Sequence, residues 1–159
     1  MDDSQKLFSV MVQQNKTTIF TVCYMFSKDQ EEVNDLFQEV VIRLWQGFDK
    51  YKGDSKERTW IYRVALNTCI SFDRKKRRHN KKQVYTGDEL FGCNERDTQQ
   101  KEILHKRITQ LCPLDRAIVL LWLEDISYEE IGAIIGITAK NVSVRLYRIR
   151  EQLKNMSND

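Results

Sequence analysis

Helix-breaking residues are scarce in this chain: one proline, Pro113, and six glycines interrupt 159 residues. β-Branched residues never alternate over a sustained run, so nothing marks a half-buried strand. An all-α protein is expected. No apolar run approaches the ~20 residues needed to span a bilayer. The N-terminus, MDDSQKLFSV, lacks the basic start and apolar core of a signal peptide. A cytoplasmic protein without membrane insertion is therefore expected. The four cysteines, Cys23, Cys69, Cys93 and Cys112, are far apart and form no CxxC pair. Zinc sites need closely spaced ligand pairs, and irregular spacing gives no disulfide framework. Free, partly buried thiols are expected, with no metal and no cofactor. The two histidines, His79 and His105, stand beside no plausible nucleophile. No glycine-rich phosphate loop is present, so an enzyme is not expected.

What is present is an uneven distribution of charge. The net charge of +3 is too small to argue from. Asp29, Glu31, Glu32, Asp35 and Glu39 nevertheless form an acidic cluster, and Arg74, Lys75, Lys76, Arg77, Arg78, Lys81 and Lys82 a basic one. Such asymmetry points to two partners, one of them polyanionic.

Apolar spacing divides the chain into helical segments. The first runs from about Gln5 to Phe26. A break at Ser27–Asp29 follows, with Asp29 and Glu32 at capping-box spacing. The next segment has the strongest period. Val33, Leu36, Phe37, Val40, Val41, Leu44, Trp45 and Phe48 form one apolar stripe, with Asp35, Gln38, Glu39 and Arg43 on the opposite side. Trp45 and Trp122 read as core. A turn at Lys52–Ser55 precedes a long helix to Arg78. Residues 79–100 are polar, carry Gly87 and Gly92, and read as a flexible linker with room for a short helical piece. A second helical block follows, broken at Pro113. Two small helical domains are expected, at residues 1–78 and 101–159.

Two segments carry chemistry. In TWIYRVALNTCISFDRKKRRHNKK, Trp60, Arg63, Asn67, Ser71, Arg74 and Arg78 recur at spacings of three and four, so a helix sets them on one face. Ile61, Ala65, Cys69 and Phe72 lie on another and can pack inward. A ring that stacks, an amide that reads base edges and guanidiniums that track phosphates suit unpaired nucleic acid. In DISYEEIGAIIGITAKNVSVRLYRIREQL, Ser127 and Glu130 have capping-box spacing, and Gly136 suits a left-handed helix end. Thr138 is a candidate N-cap for the next helix. There Val142, Leu146, Ile149 and Leu153 form a buried stripe, leaving Lys140, Asn141, Ser143, Arg145 and Arg148 outside. This is a helix-turn-helix pattern with polar residues where a recognition helix meets duplex DNA. Asn141 suits adenine, and Lys140 or Arg145 suits guanine or phosphate.

Taken together, the motifs resemble bacterial sigma factors of the sigma-70 family, extracytoplasmic-function (ECF) type, over nearly the whole chain. DLFQEVVIRLW resembles the region that binds the clamp helices of core RNA polymerase, which implies docking by Asp35, Gln38, Glu39 and Arg43. TWIYRVALNTCISF resembles the segment that engages the −10 promoter element. It implies Lys52, Trp60, Arg63, Asn67, Ser71, Arg74, Lys75, Arg77 and Arg78 as contacts to the melted non-template strand. The stretch from Leu111 to Leu153 resembles the domain that reads the −35 element, with Thr138, Lys140, Asn141, Ser143, Arg145 and Arg148 as contacts to duplex DNA. An anti-sigma factor is a further expected partner. Some positions depart from the family. Glu57 stands where it often has an apolar or aromatic residue, and Ser71 where it often has Asp. Lys140, Ser143 and Val144 also differ from the usual recognition helix, so no relative's promoter sequence carries over.

Two other readings compete. A stand-alone helix-turn-helix regulator would bind duplex DNA without polymerase, and it leaves the aromatic-basic helix unexplained. A helical RNA-binding protein would use the basic run and aromatics on single strands, and it leaves the helix-turn-helix unexplained.

Overall fold

The computed structural model describes residues 2–51, 53, 56–79 and 96–156. Among them lie seven α-helices and no strand. They are α1 (Asp3–Phe26), α2 (Gln30–Phe48), α3 (Glu57–His79), α4 (Arg96–Thr109), α5 (Pro113–Leu123), α6 (Tyr128–Ile135) and α7 (Ala139–Asn155). The all-α expectation holds. His79 belongs to α3 and residues 96–100 to α4, so helix occupies both ends of the expected linker. Residues 96–100 contain no glycine or proline, but they also lack an apolar period, and that concealed the start of α4.

Helices α1 to α3 pack pairwise as one unit. The apolar stripe of α2 turns inward through Val33, Leu36, Val40 and Leu44, and meets Ile19, Val22 and Cys23 of α1 and Ile61, Ala65 and Cys69 of α3 within one buried cluster. Phe20 stacks on Phe37 at 4.1 Å between ring centres. Asp29 caps α2 by accepting from the Glu31 amide at 3.1 Å. Glu32 does not complete the capping box. Its carboxylate accepts instead from Lys76 Nζ of α3 at 2.9 Å, a tertiary tie that replaces the local one. Cys23 and Cys69 are buried free thiols and Cys112 is exposed, while Cys93 lies outside the described residues.

The second unit is built around α5, whose residues Arg116 to Leu121 are all buried. Pro113 stands at the first position of that helix, where its missing N–H costs nothing. The two units pack against each other: α3 lies on α5 and α6, and α1 lies on α4 and α5. Arg116 is the buried link. Its Nη2 donates to the carbonyls of Thr109 (2.7 Å) and Leu111 (3.1 Å). Its Nη1 reaches the Met25 carbonyl of α1 (3.4 Å) and lies 4.0 Å from Asp73 Oδ1 of α3. The guanidinium also lies 5.1 Å from the centre of the Phe26 ring. A buried cation is tolerable only when satisfied in this way. His105 of α4 reaches the Tyr24 carbonyl at 3.3 Å, its ring tilted by 30° against the Tyr24 ring at 4.5 Å between centres. It is half-buried in the contact between units.

Candidate nucleic-acid interface

Helices α6 and α7 form a tight helix-turn-helix. Ser127 Oγ accepts from the Glu130 amide at 3.2 Å and starts α6. Gly136 ends it at φ 92°, a left-handed conformation that favours glycine. The turn has a second glycine requirement. A Cβ on Gly132 would lie 2.5 Å from the Ile137 carbonyl oxygen, so the chain can fold back this closely only over a bare backbone. Thr138 Oγ1 accepts from the Asn141 amide at 3.1 Å and starts α7. The hydroxyl expected to meet DNA therefore serves as a helix cap.

On α7, Val142, Leu146 and Ile149 are buried as the spacing implies, while Lys140, Asn141, Ser143 and Arg148 are exposed. The centre of the outer face is not quite where the sequence reading put it. Lys140, Val144, Arg148 and Glu151 recur at four, four and three, so Val144 stands mid-face, with Ser143 and Arg145 on its flanks. Val144 is 43% exposed and Tyr147, on the same side, 68% exposed. Val144 is one of the positions that depart from the family, and Tyr147 is an exposed ring that the helical period also places outward. Arg145 is tied back to α5, its Nη1 lying 3.3 Å from Asp115 Oδ1.

The outer face of α3 is less open. Trp60, Arg63, Asn67, Ser71, Arg74 and Arg78 do share one side, and Asn67, Arg74, Lys75 and Arg78 are exposed. Trp60 is half-buried, with Tyr51 stacked on it at 4.4 Å. Arg63 Nη2 donates to the Ala133 carbonyl of α6 at 2.9 Å, where the last turn of a helix has carbonyls without intrahelical partners. Asn67, Ser71 and Arg74 line a groove of about 550 Å³ whose opposite wall is Cys112, Pro113, Leu114, Ile134 and Ile135 of the second unit. Arg77 Nε lies 2.9 Å from Oδ2 of the buried Asp73, off the axis of a good hydrogen bond. It balances a buried charge within its own helix. Lys52 lies outside the described residues.

A polar clasp closes the contact between units. Glu130 accepts from Arg58 Nη2 at 2.9 Å and from Thr59 Oγ1 at 3.1 Å. Burial alone would raise the Glu130 pKa. The hydrogen bonds from Arg58 and Thr59, with the charges of Arg58 and Lys56, outweigh it and hold the carboxyl below its ordinary range. Burial, against the pull of the Tyr24 carbonyl, keeps the His105 imidazole below its ordinary value, helped by the Lys28 and Arg116 charges. Nothing local signals these pairings, because Glu130 is 71 and 72 residues from its partners.

On α2, Asp35, Gln38, Glu39 and Arg43 are exposed on one face, with Arg43 Nε paired to Glu39 Oε1 at 3.1 Å. Trp45 is not core: it remains 42% exposed, its ring edge-on to Phe8 at 5.0 Å. Ile42, also on this face, is 50% exposed.

Comparison with known proteins matches this arrangement to one family. Sigma-70 region 2 matches residues 11–79, and Sigma-70 region 4 matches residues 101–153. The chain belongs to the sigma-70 family. Its relatives place it among ECF sigma factors. The ECF RNA polymerase sigma factor SigW of Bacillus subtilis is 28% identical over 98% of this chain and 91% of its own length. The ECF RNA polymerase sigma-E factor of Escherichia coli K12 is 29% identical, over 95% and 86%. The fold is shared with the sigma factor RpoE of Bartonella quintana, solved with the anti-sigma factor NepR (TM-score 0.72, 20% identity, 94% of this chain and 95% of that one). CnrH, solved with the cytosolic domain of CnrY, is similar at TM-score 0.70 and 20% identity, over 94% and 86%. The chain is thus a promoter-specific initiation factor for RNA polymerase, and the stand-alone regulator is set aside. No helix of this sigma factor, among the described residues, is long and apolar enough to cross a membrane.

Proposed function

We propose that residues 1–78 of this sigma factor hold core RNA polymerase and the melted −10 strand, and that residues 101–159 read the −35 duplex. The observation that carries the reading is the outer face of α7, which exposes Lys140, Asn141 and Arg148 as the second helix of a tight helix-turn-helix. Such a helix fits the major groove, where Asn pairs with adenine and Arg or Lys with guanine. Asp35, Gln38, Glu39 and Arg43 are the docking face for polymerase, and Ile42 and Trp45 give it an apolar centre, as productive interfaces require.

On α3, Asn67 and Ser71 contact extruded bases, and Arg74, Lys75 and Arg78 supply phosphate contacts. Extrusion costs a few kcal/mol, which the hydrogen bonds to base edges and the phosphate contacts together offset. The factor captures an opened strand and carries out no covalent chemistry. Arg63 serves this face only after leaving Ala133, so the two units separate before the strand is gripped. Like RpoE of Bartonella quintana, solved with an anti-sigma factor, this factor is held in check by an anti-sigma protein, and it acts in the cytoplasm, where polymerase is found.

Co-elution with bacterial core RNA polymerase, followed by transcription of random genomic fragments, tests the reading. Stable co-elution with new discrete start sites is expected. Asp35→Ala with Glu39→Ala should weaken polymerase binding by about tenfold, equivalent to ~1.4 kcal/mol, while circular dichroism stays unchanged. Normal polymerase affinity in that double variant would remove the docking assignment. Absence of co-elution, with direct footprints on duplex DNA, would overturn the whole proposal.

A further inference from the structure

A carboxylate stands where DNA is expected. Asp115 lines a concavity of about 400 Å³ together with Asn141, Val144, Arg145 and Arg148 of the recognition helix. An acidic group facing a polyanion repels it, so its presence there calls for a reason. It lies in the first turn of α5, where the helix dipole favours a negative charge. It is also paired: Arg145 Nη1 lies 3.3 Å from Asp115 Oδ1, with the Asp115 side chain 21% exposed and that of Arg145 43% exposed. The more enclosed partner is the carboxylate, and the guanidinium remains accessible from the outer side.

We propose that Asp115 is a positioning residue for promoter reading, holding Arg145 so that it meets a guanine edge and not a phosphate. The inference rests on the reading that α7 lies in the major groove. A free arginine on the flank of a recognition helix swings to the nearest phosphate, where it adds salt-sensitive affinity without sequence information. Asp115 changes both properties. It takes one end of the guanidinium and restrains the fork, leaving the remaining N–H groups available to the concavity that Arg145 lines with Asn141 and Arg148. It also neutralises the charge, which lowers the attraction to phosphate at any sequence. Guanine is the base that fits, because O6 and N7 are paired acceptors matching an arginine fork. The carboxylate thereby trades general affinity for discrimination.

This trade gives the test a sign that a purely structural tie would not produce. Full-length protein assembled with core RNA polymerase is bound to a duplex library randomised over the upstream promoter element, and separately to duplex lacking any promoter. For Asp115→Asn, discrimination at one guanine position should fall by about tenfold, the size of one good base contact. Affinity for promoter-free duplex should rise, with a steeper salt dependence, because one arginine is freed. Asp115→Glu should restore part of the discrimination. Arg145→Lys keeps the charge but loses the fork, so it should lose discrimination at the same position. The double variant Asp115→Asn with Arg145→Lys should be no worse there than either single variant. If Asp115→Asn weakens every duplex equally, or lowers stability while leaving the base preference unchanged, the positioning role is overturned. Arg148→Ala separates that failure from a deeper one. If Arg148→Ala and Arg145→Lys both leave upstream-element binding intact, α7 does not lie in the groove and the reading beneath this inference fails with it.

Discussion

Helices α3 and α7 carry the same kind of message in sequence: an inward apolar stripe, and an outward face of basic and amide residues. In the folded chain they differ. The outer face of α7 is open, with Lys140, Asn141 and Arg148 exposed. That of α3 is partly occupied by the other half of the same molecule, with Arg63 bonded to Ala133 and the Asn67–Arg74 side walled by α5 and α6. Periodicity tells which side chains point away from the axis of their own helix. It does not tell which point away from the molecule, because a polar side chain such as Arg63 can satisfy itself on the unpaired carbonyls at the end of a neighbouring helix.

The largest test breaks the α7 side alone. Gly132→Ala forces a Cβ against the Ile137 carbonyl, 2.5 Å away, and backbone cannot yield as a side chain end can. A loss of about 1–3 kcal/mol or more is expected in the second unit. Denaturant unfolding should show that loss together with failure of upstream duplex binding. An unchanged midpoint would mean the turn is looser than the structure implies.

The next test asks whether the α3 side is closed by the clasp. Glu130→Gln keeps the shape but removes the charge opposite Arg58. Because Arg58 is half-exposed, the effect should be about 1 kcal/mol, or roughly fivefold toward the separated state. Small-angle scattering should show a larger radius of gyration. A radius equal to the parent's would leave Arg116 and the apolar contact as the whole of the closure.

Acidification should act in the same direction. The Glu130 carboxyl is held below its ordinary value, so its contribution is complete above the ordinary glutamate pKa and is lost as pH falls through the lowered one. The His105 imidazole is also held low, so the closed contact is complete above the ordinary histidine range and weakens as pH falls and the buried ring must take a proton. A titration by scattering or fluorescence should show opening on the acid side of neutrality and none between neutrality and the range where the buried Tyr62 phenol, raised by burial to about 12, begins to ionise. Opening just above neutrality, well below the tyrosine range, would contradict both assignments.

The finest comparison lies within α3. Arg74 is exposed and Arg77 faces the buried Asp73. Arg74→Ala should weaken DNA binding similarly across sequences and reduce the salt slope by about one. Arg77→Ala should instead lower the melting temperature by a few degrees, since about 1 kcal/mol shifts a domain of this size by that amount. Interchanged results would show that the two arginines have been assigned the wrong way round.

Much of this was legible in the sequence. The stripe on α2, the inward residues of α3, the left-handed Gly136 and the Ser127 and Thr138 caps all follow from local rules of spacing and turn chemistry. Trp45 was misread, because a helical period cannot tell a buried ring from one at the edge of a stripe. The outward positions of Val144 and Tyr147 are legible from the period of α7, although neither residue is of the polar type that marks a base-reading face.

The sequence by itself determined most of the helices apart from the start of α4, their inward faces and the family, because these depend on residues three or four apart or on motifs within one segment. Only the tertiary structure decided what Glu130, Glu32, Arg116 and Arg145 do. Two of these acidic residues stand where a capping box would use them, and both are drawn to cations on other helices. Pairings between residues distant in the chain depend on how helices come together in space, and no local pattern specifies that.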